Sequence, residues 1–246
     1  MKTINKGQLR KLVLKGSTEQ ELEKYNYSAI EDMSELFKNC TGLVTIPKLK
    51  TENVKNMDKM FYGCINLVTI PPLETGNVED MQGMFYGCKE LKEIPHLNTI
   101  NVRNMRAMFF DCQKLVTIPH LETGNVETMG RMFMGCRNLV RIPKFDTKKV
   151  VYMKSMFNGC RRLETIPELD VSNVVTMEQM FAQCNSLNYI PELDVSNVTR
   201  VEDMFMLVTE IPATLGRLEF KSLKKYNFRA DFNKKSYDIM KKSLNS

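Results

Sequence analysis

The sequence has no tryptophan, only two histidines, and nowhere an apolar run long enough to span a bilayer. The missing run argues against a membrane-spanning helix. From Met1 to Lys15 a secretory leader is not expected either, because Lys2, Lys6, Arg10 and Lys11 interrupt the apolar positions. A lipobox is not possible, since the first cysteine is Cys40. A cytoplasmic protein is therefore expected. Common catalytic signatures are also missing: there is no G-x-x-x-x-G-K-S/T, no H-E-x-x-H, no G-x-G-x-x-G after a strand, and no convergent acid pair outside the repeat. No enzyme, catalytic residue or cofactor is expected. What is present is an ordinary globular composition, 43% hydrophobic and 26% charged, with apolar content supplied largely by Met, Leu, Val and Ile.

The cysteines carry the organisation. Cys40, Cys64, Cys88, Cys112, Cys136, Cys160 and Cys184 stand 24 residues apart throughout. Neither a disulfide framework nor a zinc site produces that register, whereas an internal repeat does. Each cysteine is one copy of one buried position, where a free thiol packs as a small apolar group. Met-Phe recurs in the same register from Met60-Phe61 to Met204-Phe205, with Leu36-Phe37 as a variant first copy. Ile-Pro recurs from Ile46-Pro47 to Ile190-Pro191, and a last Ile211-Pro212 arrives three residues early. The consensus is N-V-x-x-M-x-x-M-F-x-x-C-x-x-L-x-x-I-P-x-L-x-T-x, over about residues 30 to 212.

Within a unit the apolar period changes midway. Val78, Met81, Phe85 and Cys88 fall on one face of a short helix, with Met84 beside them. Asn77 is placed to cap it, and Asn53, Asn101, Asn125, Asn173 and Asn197 repeat that position, while Lys149 breaks the pattern. Gly63, Gly87, Gly135 and Gly159, with Asp111 in one copy, stand where a left-handed residue would end the helix. Leu91 to Ile94 then reads as a strand closed by Pro95, which has no N–H to donate. Such a unit cannot bury its own apolar faces, so units must stack. The expected fold is α/β: a right-handed leucine-rich-repeat-like solenoid with a parallel sheet on the concave face and short helices on the convex face. About eight rungs at ~4.8 Å are expected, and helices wider than strands would curve the array.

The motif N-V-x-x-M-x-x-M-F-x-x-C followed by L-x-x-I-P resembles the repeats of the BspA-like leucine-rich proteins, in the DUF285 or mycoplasma-lipoprotein-type form. The resemblance implies a binding solenoid without an active site. Members are commonly bacterial or parasite surface proteins that bind host or microbial proteins, and related arrays occur in phage-encoded proteins.

Residues 1–29 read as an N-terminal cap, 30–217 as the array, and 218–246 as a basic cap or tail helix. In the cap, Leu9, Leu12, Val13 and Leu14 suggest a strand-like piece, followed by a polar helix with a capping box at Ser17/Gln20 or Thr18/Glu21. The net charge of +6 sits almost wholly in the tail, which holds Lys221, Lys224, Lys225, Arg229, Lys234 and Lys235. That segment is a candidate contact for nucleic acid or a nucleoprotein complex.

Function is sought in columns that the repeat leaves free. The two columns flanking Ile-Pro supply Glu93, His96, His120, Arg141, Lys144, Glu168, Tyr189 and Glu192, expected on the concave side or its rim. His96 and His120 share a column in adjacent rungs, but two ligands make a weak metal site and no metal is expected. After Met-Phe come Tyr62, Tyr86, Phe110 and Met134 in successive units, an apolar stripe on the helical side that suits a protein partner. The expected function is a monomeric protein-binding scaffold, an intracellular inhibitor or adaptor of phage or mobile-element origin. A surface adhesin and a nucleic-acid binder are the alternatives.

Overall fold

A chain that repeats every 24 residues can satisfy its backbone by pairing each unit with the next, and that is how this chain folds. The computed structural model describes residues 1–191 and 193–208. Glu192 and the whole basic tail therefore lie outside the described residues. Parallel one-residue bridges join Asp32, Asn56, Asp80, Asn104, Thr128, Tyr152, Thr176 and Arg200 in one unbroken ladder. The position just before the first Met of each unit, or before Val201 in the last, is thus held in register from rung to rung.

The Met-Phe segment is not a helix. Among the described residues, helices occur only before the array, and the segment is built from consecutive tight turns. In one rung Met60, Tyr62 and Cys64 close turns by donating to the carbonyls of Met57, Lys59 and Phe61. The alternate residues Met57, Lys59, Phe61 and Gly63 donate instead to Asp80, Gln82, Met84 and Tyr86 of the next rung, at 2.7 to 2.9 Å. A helix would use those N–H groups internally and would be roughly 10 Å across. Turns keep the unit nearly as thin as a strand, so every rung can hydrogen-bond to its neighbour. The Phe rings show the close spacing: Phe61, Phe85 and Phe109 stack in parallel with centroids 5.6 Å apart. The expected curvature, which rested on wide helices, loses its premise.

Two residues per unit must take a left-handed backbone for this path. One column was legible, with positive φ at Asn39, Gly63, Gly87, Asp111, Gly135, Gly159, Gln183 and Leu207. The other, at Glu35, Lys59, Gly83, Ala107, Arg131, Ser155, Gln179 and Asp203, has a single glycine and gave no signal.

The recurring asparagines are clamps between rungs, and do not cap helices. Asn77 Nδ2 donates to the Glu52 carbonyl at 2.7 Å, Asn101 to Gly76 at 2.7 Å and Asn125 to Ile100 at 2.8 Å. Where Lys149 replaces the asparagine, its Nζ reaches Asn125 Oδ1 at 2.7 Å and keeps a link to the preceding rung. The expected strand at Leu91–Ile94 is also reduced. Its column contributes one cross-rung bond in most units, such as Lys92 N–H to Val68 O at 3.1 Å, and among the described residues a bridge only at Thr165–Tyr189. The proline that follows each Ile has no N–H with which to extend that pairing.

Before the array come β1 (Lys2–Thr3), α1 (Lys6–Leu14), α2 (Glu19–Leu22) and β2 (Tyr25–Asn26), with β1 and β2 paired in parallel. The Leu9–Leu14 stretch is helical, a correction to the strand reading, because Asn5 and Gln8 form a capping box that starts α1. The Thr18/Glu21 box starts α2 as expected. Leu9, Val13 and Leu22 are buried in the same core as the array, and Arg10 Nε donates to the Leu36 carbonyl of the first rung at 2.8 Å.

Candidate binding surfaces

The side chains that repeat are consumed by stacking. Each thiol from Cys64 to Cys184 donates to the Phe carbonyl of the preceding rung, as in Cys88 Sγ to Phe61 O at 3.2 Å and Cys136 Sγ to Phe109 O at 2.9 Å. Burial pushes the Cys64 and Cys184 thiols up to about 12 and holds those of Cys112 and Cys160 well above the usual thiol range. None of these is an activated nucleophile. The columns that vary are the ones left open to solvent.

The columns flanking Ile-Pro are solvent-exposed at Glu93, His96, His120, Arg141, Lys144, Glu168 and Tyr189. His96 Nε2 lies 3.8 Å from Glu122 Oε1, and Lys144 Nζ lies 3.5 Å from Glu168 Oε2. Both pairs are open to water, where an ion pair is worth little. The Glu122 carboxylate accepts from the Thr99 backbone N–H at 3.1 Å, which lowers its pKa against the cost of desolvation, with His96 a smaller influence. His120, Lys144, Asp146, Glu168 and Asp170 line an open cleft of about 470 Å³. Among the described residues no group of three His, Cys, Asp or Glu is placed to hold a metal.

The aromatic stripe is half-buried. Tyr62 stacks on Tyr86 at 4.4 Å and Tyr86 on Phe110 at 4.2 Å, with Lys38 Nζ 5.8 Å from the Tyr62 ring centre. Its rings pack on the next rung and still present partly exposed faces at Tyr62, Tyr86, Phe110 and Met134.

A third surface was missed. Arg106, Arg131, Lys154 and Arg200 surround Tyr152, Thr128 and Thr176 in a cleft of about 380 Å³ along the bridge ladder. The signal was available in the two variable positions between the methionines of each unit, which run Asp58-Lys59 early and Gly130-Arg131 later. A helical reading scattered those residues around a wheel and hid that they share one face with the ladder.

In-register rungs, a continuous buried core and exposed variable columns define a leucine-rich-repeat solenoid. The chain belongs to the family described as "Mycoplasma protein of unknown function, DUF285", whose model matches residues 8–117, 66–164 and 127–239. It is a BspA-like leucine-rich repeat protein. Among solved structures, the T. pallidum leucine-rich repeat protein TpLRR is similar at 19% identity, covering 78% of this chain and 84% of that one with a TM-score of 0.51. A leucine-rich repeat protein from Eubacterium ventriosum matches at 15% identity, 65% and 59% coverage and a TM-score of 0.38. A leucine rich cell surface protein from Faecalibacterium prausnitzii matches at 17% identity, 76% and 68% coverage and a TM-score of 0.36. A search of curated proteins finds no match. Among the described residues no helix is long and apolar enough to cross a membrane.

Proposed function

We propose that the chain is a non-catalytic scaffold that binds another protein through its variable columns. The observation that supports this reading is the division of labour within each rung. Val, Met, Phe, Cys, Leu and Ile are buried in copy after copy, while the neighbouring exposed positions change character along the same axis. A surface that is rigid and repetitive underneath and varied on top presents many contacts at little ordering cost. The right-handed winding belongs to the same proposal. It is supported by the parallel bridges between successive units, because crossovers joining parallel neighbours strongly favour that hand.

In this reading the partner is met inside a cell, with the chain acting as an inhibitor or adaptor. Seven free cysteines without a disulfide agree with a reducing compartment. The test is affinity capture with the full chain in three forms: unaltered, with Glu93, Arg141 and Lys144 changed to Ala, and with Tyr62→Ser plus Phe110→Ser. A partner retained by the first and lost by one of the others fixes the working face. Equal capture by all three would remove both columns from consideration.

A further inference from the structure

The bridge-ladder face is electrically divided, and its two halves are satisfied differently. In the first rungs the acidic groups already have partners within the chain. Lys6 lies 3.3 Å from Asp32, Lys55 2.8 Å from Glu31, and Lys59 2.9 Å from Asp58, while Asn104 Nδ2 donates to Asp80 at 3.2 Å. In the later rungs the basic groups are only half-satisfied. Glu178, 7% exposed at the floor, takes Arg200 Nη2 at 2.7 Å and Lys154 Nζ at 3.3 Å, and accepts from Thr176 Oγ1 at 3.0 Å. Within the described residues the Arg106 and Arg131 guanidinium groups have no ion pair or hydrogen bond.

The shape of this cleft comes from Gly130. In neighbouring rungs its column carries Gln82, Arg106, Lys154 and Glu178, so the missing side chain leaves a gap between two cations. Conformation does not require glycine there, because Gly130 is not among the residues with positive φ. An added Cβ would meet only the Lys154 carbonyl, at an ordinary 3.6 Å. Tyr152, 55% exposed, supplies apolar surface in the cleft.

We infer that this cleft takes an extended acidic segment of a partner protein, with carboxylates received by Arg106 and Arg131 and an intervening side chain lying on Tyr152. The inference rests on the protein-binding reading above and deepens it. The two unpaired guanidinium groups stand in adjacent rungs, ~4.8 Å apart along the ladder, which is within reach of alternate side chains of an extended segment, about 6.6 Å apart. A guanidinium receives a carboxylate in a fixed fork, which favours discrete acidic side chains. A nucleic-acid strand is disfavoured, because unpaired cations occupy only two adjacent rungs, and phosphates continuing along the ladder would meet Glu178 in the floor and Glu202, 3.9 Å from Arg200, which an acidic segment meets with neutral side chains. A second copy of the chain is disfavoured as well, since its acidic half is already paired with its own lysines and amides.

The experiment is fluorescence anisotropy of a labelled octapeptide of alternating Glu and Thr against the full chain. The expected result is saturable, salt-weakened binding, with no binding of the matching Lys-Thr peptide. Arg106→Ala with Arg131→Ala should weaken it about tenfold or more. Gly130→Gln should do the same while keeping every cation. Arg161→Ala with Arg162→Ala should leave it unchanged, and thermal melts should show all variants folded. Unchanged affinity in the cleft variants overturns the inference, as does tighter binding of a labelled oligo-dT. So does self-association that the same variants abolish in the absence of peptide binding. Partner capture that survives the cleft variants but fails on altering the Ile-Pro columns would sink the cleft and leave the scaffold reading standing.

Discussion

Cys112 Sγ donates to the carbonyl of Phe85, 3.1 Å away and 27 residues earlier in the chain. One bond therefore ties the end of a Met-Phe turn to the preceding rung, and its copies at Cys64, Cys88, Cys136, Cys160 and Cys184 do so along the array. A thiol fits here because it fills an apolar position and still supplies a weak donor to a carbonyl.

These thiols make the fold sensitive to alkali. Their folded pKa values are raised by burial, so their contribution is complete below the unfolded thiol value of about 8.5 and falls as pH climbs toward the folded values. Each thiol should contribute about 1.4 kcal/mol of lost stability per pH unit above ~8.5. Urea unfolding at pH 8 and pH 10 should show a steep loss, shallower in Cys88→Ala with Cys112→Ala. Equal steepness in that variant would assign the alkaline effect to other groups.

The buried threonine column offers a paired test. Thr99 Oγ1 donates to the Glu122 carbonyl at 2.8 Å, whereas Thr123 Oγ1 has no hydrogen-bond partner among the described residues, and the same column carries Val171 and Val195 later in the chain. Thr99→Val should cost about 1–2 kcal/mol by orphaning the carbonyl, while Thr123→Val should stabilise by about 1 kcal/mol. Calorimetric melts of the two variants, moving in opposite directions, would bear this out.

Left-handed positions predict a second opposed pair. Gly159, at φ 77°, should lose about 1–2 kcal/mol on substitution by Ala. Ala107, at φ 53°, should gain a smaller amount on substitution by Gly, because glycine also loses more entropy on folding. Chemical denaturation of both variants reads the signs directly.

The register, the buried thiols and the first left-handed column were legible because Cys, Met-Phe and Gly keep one spacing over many rungs, and only stacked copies of a single unit hold such a spacing. The turns were not. Met57, Met60, Phe61 and Cys64 satisfy an i, i+3, i+4, i+7 spacing, and a chain of tight turns brings those same side chains inward. Apolar period reports which residues face the core and is silent on where the N–H groups go. The Asn77 clamp was misread for the same reason: a side-chain amide before an apolar segment suits a helix start and a neighbouring carbonyl equally well. The Arg106–Arg131 cleft was hidden by that misreading, since it exists only when adjacent variable positions lie along one ladder.

The stacking itself is tested most directly by site-resolved alkylation of the native chain with iodoacetamide, quantified for each cysteine by mass spectrometry. Cys64, Cys88, Cys112, Cys136, Cys160 and Cys184, all fully buried, should stay unmodified until denaturant is added, while Cys40, 9% exposed beside Arg10, should react first. Rapid modification of Cys112 or Cys136 under native conditions, at the rate seen in denaturant, would contradict the account.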